Sequence, residues 1–371
     1  MSVSTSSGSP ANPAPPASGV MRAAVLYGPE DVRTEDVPIP IPGPGEVLAR
    51  VDVASIDFTD RKVYLRGSHP MIKVPGLFGH EWAGTVAAVG LGAEERWHTG
   101  QRVVAANSVP CDPAEGPLCL QCRRGRVSMC ENIQYTNGAF APYILVPSRL
   151  ARLNLYEIPL EVPPERVVFA EPYACVVHAV RRIPIHPLDV VVIVGAGPMG
   201  LLFVNGLRRR YGSDLTLVSL DHMNSRLDVA KAMGASHVVN TKGRMAGEAL
   251  REAIGRPDAD VVIEVIGTVE THREALGLVG RGGSLVSFGG VAPGQILPVD
   301  IGRLHYQEIS ILPIYHHTPP DVAEAVRQLV AGEVPVEHLI TARLPLTELR
   351  QALDMVGEKT TLRTLLFPGH E

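Results

Sequence analysis

Residues 190–200 read VVVIVGAGPMG, and this stretch decides the fold of the second half of the chain. Its first five residues are apolar and β-branched, which is typical of a parallel strand that is covered on both faces. A turn with the spacing G-x-G-x-x-G follows, and an apolar helical pattern opens directly after it. Glycines at this spacing allow a tight turn and bring the backbone close to a pyrophosphate at the helix N-terminus. The stretch therefore predicts a dinucleotide-binding turn formed by Gly195, Gly197, Pro198, Met199 and Gly200.

The residues that follow alternate between strand and helix patterns. Strands are predicted at 215–220, 260–265 and 284–288, and helices at 224–233 and 271–279. Such an alternation is typical of an α/β fold with a doubly wound parallel sheet.

Asp221 ends the second strand of this series. A carboxylate at this position accepts hydrogen bonds from ribose hydroxyls and repels a 2′-phosphate, so Asp221 favours NAD over NADP. Arg226 follows in the next helix and can assist either cofactor. The alternative is that Asp221 is an ordinary solvated acid of a loop.

The first half of the chain is instead rich in short strands and turns. Residues 46–53, EVLARVDV, alternate apolar and polar side chains as a half-buried strand does, and similar patterns continue to about residue 155. Residues 1–19 carry no charged side chain and are rich in Ser, Pro, Ala and Gly. We expect a disordered tail there and not a signal peptide.

The composition narrows the classes of partner. The chain has 371 residues, which suggests two or three domains, and a net charge of −5. That charge gives no reason to expect nucleic acid as a partner, and no apolar run approaches the length of a membrane-spanning helix. Four of the five cysteines lie between residues 111 and 130, which favours metal binding over disulfides in a protein that we expect to be cytoplasmic.

Three motifs in and beside the first half carry a family resemblance. Residues 79–93 read GHEWAGTVAAVGLGA, residues 54–60 read ASIDFTD, and Glu171 lies in the run AEPYAC. On these motifs the chain resembles the zinc-dependent medium-chain dehydrogenases/reductases of the alcohol dehydrogenase superfamily. Within that superfamily it is most similar to the polyol branch, which includes sorbitol- and glucose-type dehydrogenases.

The resemblance implies an organisation of the whole chain. Residues 20–175 and 316–371 are expected to form a β-rich GroES-like catalytic domain, and residues 176–315 a Rossmann NAD-binding domain. A homodimer or homotetramer is also implied, as is a cofactor-binding role for Gly267.

The resemblance also implies a catalytic zinc site. Its ligand set is Asp57, His80, Glu81 and Glu171, with the glutamates bound directly or through water. The family usually has cysteine at the first position, and the aspartate here makes the site harder and its zinc affinity weaker. Thr59 is expected to relay a proton, and Asp60 to orient His80. The alternatives are a turn hydroxyl for Thr59 and a turn or helix cap for Asp60.

A second, structural zinc site is implied by the cysteines. The spacing Cys119-x2-Cys122-x7-Cys130 matches the last three ligands of the family's structural lobe, at about residues 107–133. We interpret Cys111 as the fourth ligand, displaced by a loop insertion. Free thiols that have lost their metal are the alternative.

His316 and His317 come where the resemblance has the chain cross back between its domains. They can contact substrate or cofactor there, although buried or capping histidines are the more common case.

These features predict a zinc-dependent oxidoreductase that transfers hydride between NAD and a secondary alcohol of a polyol, sugar or cyclitol. Its partner is then a small molecule. Two alternatives stay open: a zinc-free NAD(P)H-dependent reductase of the same superfamily, and a catalytically silent NAD-binding protein.

Overall fold

The computed structural model of the protein describes residues 19–369. The predicted tail, apart from Gly19, lies outside the described residues. Within them, no helix combines the length and the apolar character needed to span a bilayer.

The first part of the chain is dominated by antiparallel strands. These strands are β1 (Val20–Gly28), β2 (Asp31–Pro38), β3 (Val47–Ile56), β4 (Gly76–Leu77), β5 (Glu81–Val89), β6 (Arg102–Ala105), β7 (Ser108–Val109), β8 (Gln134–Tyr135), β9 (Tyr143–Val146) and β10 (Leu155–Ile158). The helices between them are α1 (Phe58–Arg66), α2 (Leu120–Arg123), α3 (Ser148–Leu153) and α4 (Pro164–Val167).

The middle of the chain alternates between helices and strands. Its strands are β11 (Val190–Val194), β12 (Thr216–Asp221), β13 (His237–Asn240), β14 (Ala259–Glu264), β15 (Val279–Ser287) and β16 (Ser310–Pro313). Its helices are α5 (Ala170–Arg182), α6 (Pro198–Tyr211), α7 (Asn224–Ala232), α8 (Ala246–Ile254), α9 (Val269–Gly277) and α10 (Ile301–Gln307).

The strands of the middle part form one parallel sheet in the order β13-β12-β11-β14-β15-β16. The all-apolar strand β11 lies in its interior, with Val192 paired to Val218 on one side and Val262 on the other. The carboxyl ends of β11, β12 and β14 therefore share one edge, where dinucleotides bind in such sheets. This confirms the predicted α/β fold with a doubly wound parallel sheet.

Two elements of this middle part begin two or more residues before their predicted start. Helix α9 begins at Val269 because Thr268 caps it, two residues before the predicted start. Strand β15 begins at Val279 and not at residue 284, because the glycine-rich stretch after Val279 stays extended through a register shift against β14.

The last part of the chain returns to the first. It contains α11 (Pro319–Val330), β17 (Ile340–Pro345), α12 (Leu349–Gly357) and β18 (Arg363–Phe367). Strand β18 pairs antiparallel with β3, which also pairs with β5 and β9. One sheet is thus shared by the beginning and the end of the chain.

Helix α5 joins the two sheets. Its buried residues Tyr173, Ala174 and Val177 belong to a core that also includes Val104 of β6 and Ile193 of β11. Glutamate in its first turn and two arginines in its last turn complement the helix dipole. Because α5 packs against both sheets, the side chains of its first turn are held at a fixed place between them.

Asp321 links α11 to α5. Its carboxylate caps α11 through the N–H of Thr318 at 3.0 Å, and it contacts His178 Nδ1 and Arg181 Nη1 of α5, each at 2.8 Å. Burial raises the pKa of Asp321, but the hydrogen bonds from His178 and Thr318 and the contact with Arg181 outweigh burial, so the pKa is lowered.

Asp321→Asn tests this link. The folded pKa lies below the unfolded value, so the stabilisation is complete above about pH 4 and is lost as the pH falls through the folded pKa. At pH 7 we expect the variant to lower the free energy of unfolding by about 1.5–3 kcal/mol, and the difference to shrink at acid pH. Denaturant titrations at several pH values measure this. Asp354→Asn, which removes an exposed pair with Arg61, is the control and should cost less than about 1 kcal/mol. Equal stability of Asp321→Asn and the wild type at pH 7 would contradict the link.

Candidate active site

The N-terminus of helix α1 fixes two carboxylates. Strand β3 ends at Ile56, and Asp57 is the N-cap of α1. The N–H of Asp60 donates to Asp57 Oδ1 at 2.9 Å, and the N–H of Asp57 donates to Asp60 Oδ2 at 3.1 Å. This reciprocal capping box fixes both side chains through hydrogen bonds within the first turn of the helix. The alternative role of Asp60 as a helix cap is therefore present in the structure.

His80 lies buried beside this cap. Its Nδ1 is 2.9 Å from Asp60 Oδ1, and its Nε2 is 4.0 Å from Asp57 Oδ1. The first distance is a hydrogen bond, so in a neutral ring Asp60 holds the proton on Nδ1 and leaves the lone pair of Nε2 for a ligand. The second distance is too long for a hydrogen bond and leaves room for an ion. One ligand atom each from Asp57, His80 and Glu81 lies within 4.8 Å of the other two.

Glu81 is held by an arginine from the far end of the chain. Arg363 of β18 donates from Nη1 to both carboxylate oxygens, at 3.0 and 2.8 Å, and neither side chain is more than 2% exposed. Burial raises the pKa of Glu81, and Arg363 opposes the rise. Arg363 does not lie in a recognisable motif, and its partner Glu81 lies 282 residues earlier in the sequence. Sequence reasoning therefore missed this residue.

The electrostatics of this cluster favour a cation. Burial disfavours the charged form of His80, yet Asp60 and Asp57 outweigh it and raise the pKa of His80 well above its ordinary value. Burial likewise raises the pKa of Glu171. His80 and Glu171 thus retain protons that a bound divalent ion would displace. Their imidazole and carboxylate donors are ligands that suit zinc.

Glu171 lies in a group with two histidines and not in the group of the other three predicted ligands. It is the second residue of α5, and it groups with His316 and His317, whose ligand atoms lie within 4.8 Å of one another and of its own. The closest approach is 3.8 Å, between Glu171 Oε1 and His317 Nε2. Glu171 still contributes to the raised pKa of His80, so this group adjoins the first. The structure therefore brings the predicted ligands into one region, in two neighbouring groups.

The four predicted structural ligands converge. Cys111, Cys119, Cys122 and Cys130 each offer a sulfur within 4.8 Å of the other three, and none forms a disulfide. The Sγ atoms of Cys111 and Cys119 lie 3.5 and 3.9 Å from Cys130 Sγ. Ligands about 2.3 Å from zinc in a tetrahedron are about 3.8 Å apart, so these thiols fit a closed zinc site.

The extra residues after Cys111 form an anchored turn. Asp112 and Glu115 of this turn pair with Arg149 and Arg152 of helix α3. The turn therefore carries Cys111 to the other three sulfurs in spite of the longer spacing.

The glycine-rich turn has the geometry that a dinucleotide needs. Gly195 has φ +109°, and a Cβ there would lie 2.8 Å from Ile266 Cγ1. A Cβ at Gly200 would lie 1.8 Å from the carbonyl oxygen of Gly195, so α6 can start this close to the turn only with glycine. Within the described residues no side chain caps α6, which leaves the first N–H groups after Gly197 for a phosphate.

The other predicted cofactor residues border this turn. Asp221 accepts the N–H groups of Ala196 and Met223 at 2.8 and 2.9 Å, so its carboxylate lies at the rim of the turn. Arg226 donates to the carbonyl of Lys359 at 3.2 Å. Gly267 follows β14 at the same edge of the sheet, where its N–H donates to Glu264 Oε1.

Comparison with known proteins agrees with this arrangement. Residues 43–157 match the model of the alcohol dehydrogenase GroES-like domain, and residues 198–331 match that of the zinc-binding dehydrogenases. The chain is 31% identical to an erythritol/L-threitol dehydrogenase of Mycolicibacterium smegmatis, over 94% of this chain and 98% of that protein. It is 28% identical to a sorbitol dehydrogenase of Bacillus subtilis, over the same shares. A crystal structure of a zinc-binding dehydrogenase of unproven function from Sinorhizobium meliloti, bound to NADP, superposes with a TM-score of 0.85, at 28% identity, over 94% of this chain and all of that one.

Fold, site and relatives together define an oxidoreductase that acts on alcohols with a nicotinamide cofactor. The chain belongs to the zinc-type medium-chain dehydrogenases/reductases, in their polyol dehydrogenase branch. The resemblance and the fold class predicted from the sequence are thereby confirmed.

Cys111→Ser tests the four-thiolate zinc site. Cobalt in such a site gives a strong thiolate-to-metal absorption in the near ultraviolet. We expect the variant to lose most of this absorption and its tightly bound ion, because one sulfur of the closed site is missing. Cys175→Ser is the matched control, since Cys175 lies on α5 outside the cluster. Full zinc content in Cys111→Ser would exclude Cys111 as the fourth ligand.

Proposed function

We propose that this protein is an NAD-dependent, zinc-dependent dehydrogenase that oxidises a secondary alcohol of a polyol, sugar or cyclitol to a ketone or lactone. The observation that carries the proposal is the convergence of Asp57, His80 and Glu81 beside Asp60. The polyol class is supported by the erythritol/L-threitol and sorbitol dehydrogenases among the relatives.

The chain's own residues prepare the site for zinc. When bound, zinc supplies positive charge that stabilises the negative charge developing on the substrate oxygen. Asp60 accepts the N–H of His80 Nδ1 and so keeps Nε2 available as a ligand. Arg363 balances the charge of Glu81, and Asp57 and Glu171 supply the remaining carboxylates.

Thr59 is proposed to move the substrate proton. It lies in the first turn of α1, partly exposed, and its hydroxyl hydrogen bonds to Asp57. A hydroxyl in this place can accept a proton from the substrate side and pass one towards solvent.

We further propose that NAD is the preferred cofactor. Asp221 places a carboxylate at the rim of the phosphate turn, where it can bind ribose hydroxyls and would repel a 2′-phosphate. Arg226 is engaged with the carbonyl of Lys359, which makes it less available for a phosphate.

The division of the chain at residues 175 and 316 is also part of the proposal. It is supported by the pairing of β18 with β3 and by the continuous parallel sheet that the strands between residues 175 and 316 form. A homodimer or homotetramer and a cytoplasmic location stay predictions.

A substrate panel tests the function. Polyols, aldoses and inositols are offered with NAD⁺ or NADP⁺, and the reduced cofactor is followed by absorbance. We expect turnover with at least one secondary alcohol, faster with NAD⁺, abolished by a chelator and restored by zinc. Full turnover by protein that retains only its structural zinc would favour the zinc-free reductase. No turnover with any alcohol would favour the silent NAD-binding protein.

Asp57 variants test the ligand assignment. Asp57→Asn keeps a good N-cap but loses the charge, so we expect zinc binding at least about 10–100-fold weaker and a parallel loss of turnover. Asp57→Cys should preserve or tighten zinc binding, because thiolate is the softer ligand. Zinc content, chelator competition and kcat measure these effects. The assignment fails if Asp57→Ala leaves both zinc content and turnover unchanged.

A further inference from the structure

His317 is a buried imidazole without a hydrogen-bond partner. Its side chain is 1% exposed, and neither ring nitrogen has a partner in the described part of the chain. An unpaired buried polar atom is destabilising and rare in folded proteins, so such a group calls for a ligand. By comparison, both nitrogens of the buried His272 are satisfied, by the carbonyl of Thr268 and the hydroxyl of Ser287, each at 2.8 Å.

The unpaired ring faces the candidate metal region. His317 lies between β16 and α11, where the chain crosses from the parallel sheet back to the first part. Its Nε2 is 3.8 Å from Glu171 Oε1, too far for a hydrogen bond. The ring of His316 packs against it at a tilt of 31° with ring centroids 4.0 Å apart, while His316 Nε2 lies 2.5 Å from Ser108 Oγ. These neighbours therefore hold the ring of His317 in place but form no hydrogen bond with its nitrogens.

The unpaired ring also lies beside an acid. An imidazole with an unpaired ring nitrogen next to a carboxylate supplies two donors that zinc accepts.

We propose that His317 is a ligand of the active-site metal ion, beside Glu171. This inference rests on the proposed function, because it concerns the ion that that function requires. A second imidazole besides His80 adds a nitrogen donor to the site. Two nitrogen donors suit zinc better than a single nitrogen among carboxylates, which would also suit harder ions.

Zinc affinity of the whole protein, measured by chelator competition without substrate or cofactor, tests the inference. His317→Gln should weaken the active-site zinc by at least about 10-fold and leave the four-cysteine zinc in place. His272→Gln is the matched control, a buried histidine with both nitrogens satisfied, and should leave both zinc affinities unchanged.

A second variant guards against misfolding of the first. His317→Cys supplies a thiolate, so its cobalt-loaded form should show more thiolate-to-metal absorption than the wild type. Unchanged zinc affinity in His317→Gln, or no added absorption in His317→Cys, would overturn the inference. The proposed function would survive that result if Asp57→Asn still weakened zinc binding. A wild-type protein that binds only the four-cysteine zinc would instead contradict both the inference about His317 and the proposed function.

Discussion

Four carboxyl groups around the imidazole of His80, three of them buried and one partly exposed, are the constraint on which this structure depends. Burial raises the pKa of Asp60, Glu81 and Glu171, and the charge of Asp57 raises each of them further. Arg363 offsets part of that charge through Glu81, and His80 offsets part through Asp60. The remaining excess of negative charge favours the binding of a divalent cation. Metal binding and the stability of the interior therefore depend on the same balance of charges.

The charged groups of this cluster are supplied by elements from distant parts of the sequence. The N-terminus of α1 carries two of the acids, the first turn of α5 another, and the crossover before α11 adds His317. Helix α5 packs against both sheets, so its acid cannot move without disturbing the core that the two sheets share. A site built in this way is preorganised by packing and not by the local chain alone.

Local patterns were enough to predict much of this molecule. The apolar strand before Gly195, the box of Asp57 and Asp60, and the cysteine spacing all act within a few residues, so the sequence displays them directly. Arg363 and His317 could not be assigned to the site in this way. Their partners are remote in sequence, and an arginine in a strand or a pair of histidines in a loop has no local signature of its role. The start of β15 was missed for a related reason, since its glycines are held extended only by the neighbouring strand.

The position of Arg363 in the last strand has a consequence for biosynthesis. Arg363 follows Glu81 by 282 residues in the sequence, so it is translated long after β3 and Glu81. Until then Glu81 lacks its counter-charge and β3 lacks one neighbour, which leaves a strand edge open to wrong pairing. The acidic cluster is therefore completed only after residue 363 has been translated, and a chain that stops before it leaves Glu81 without its counter-charge.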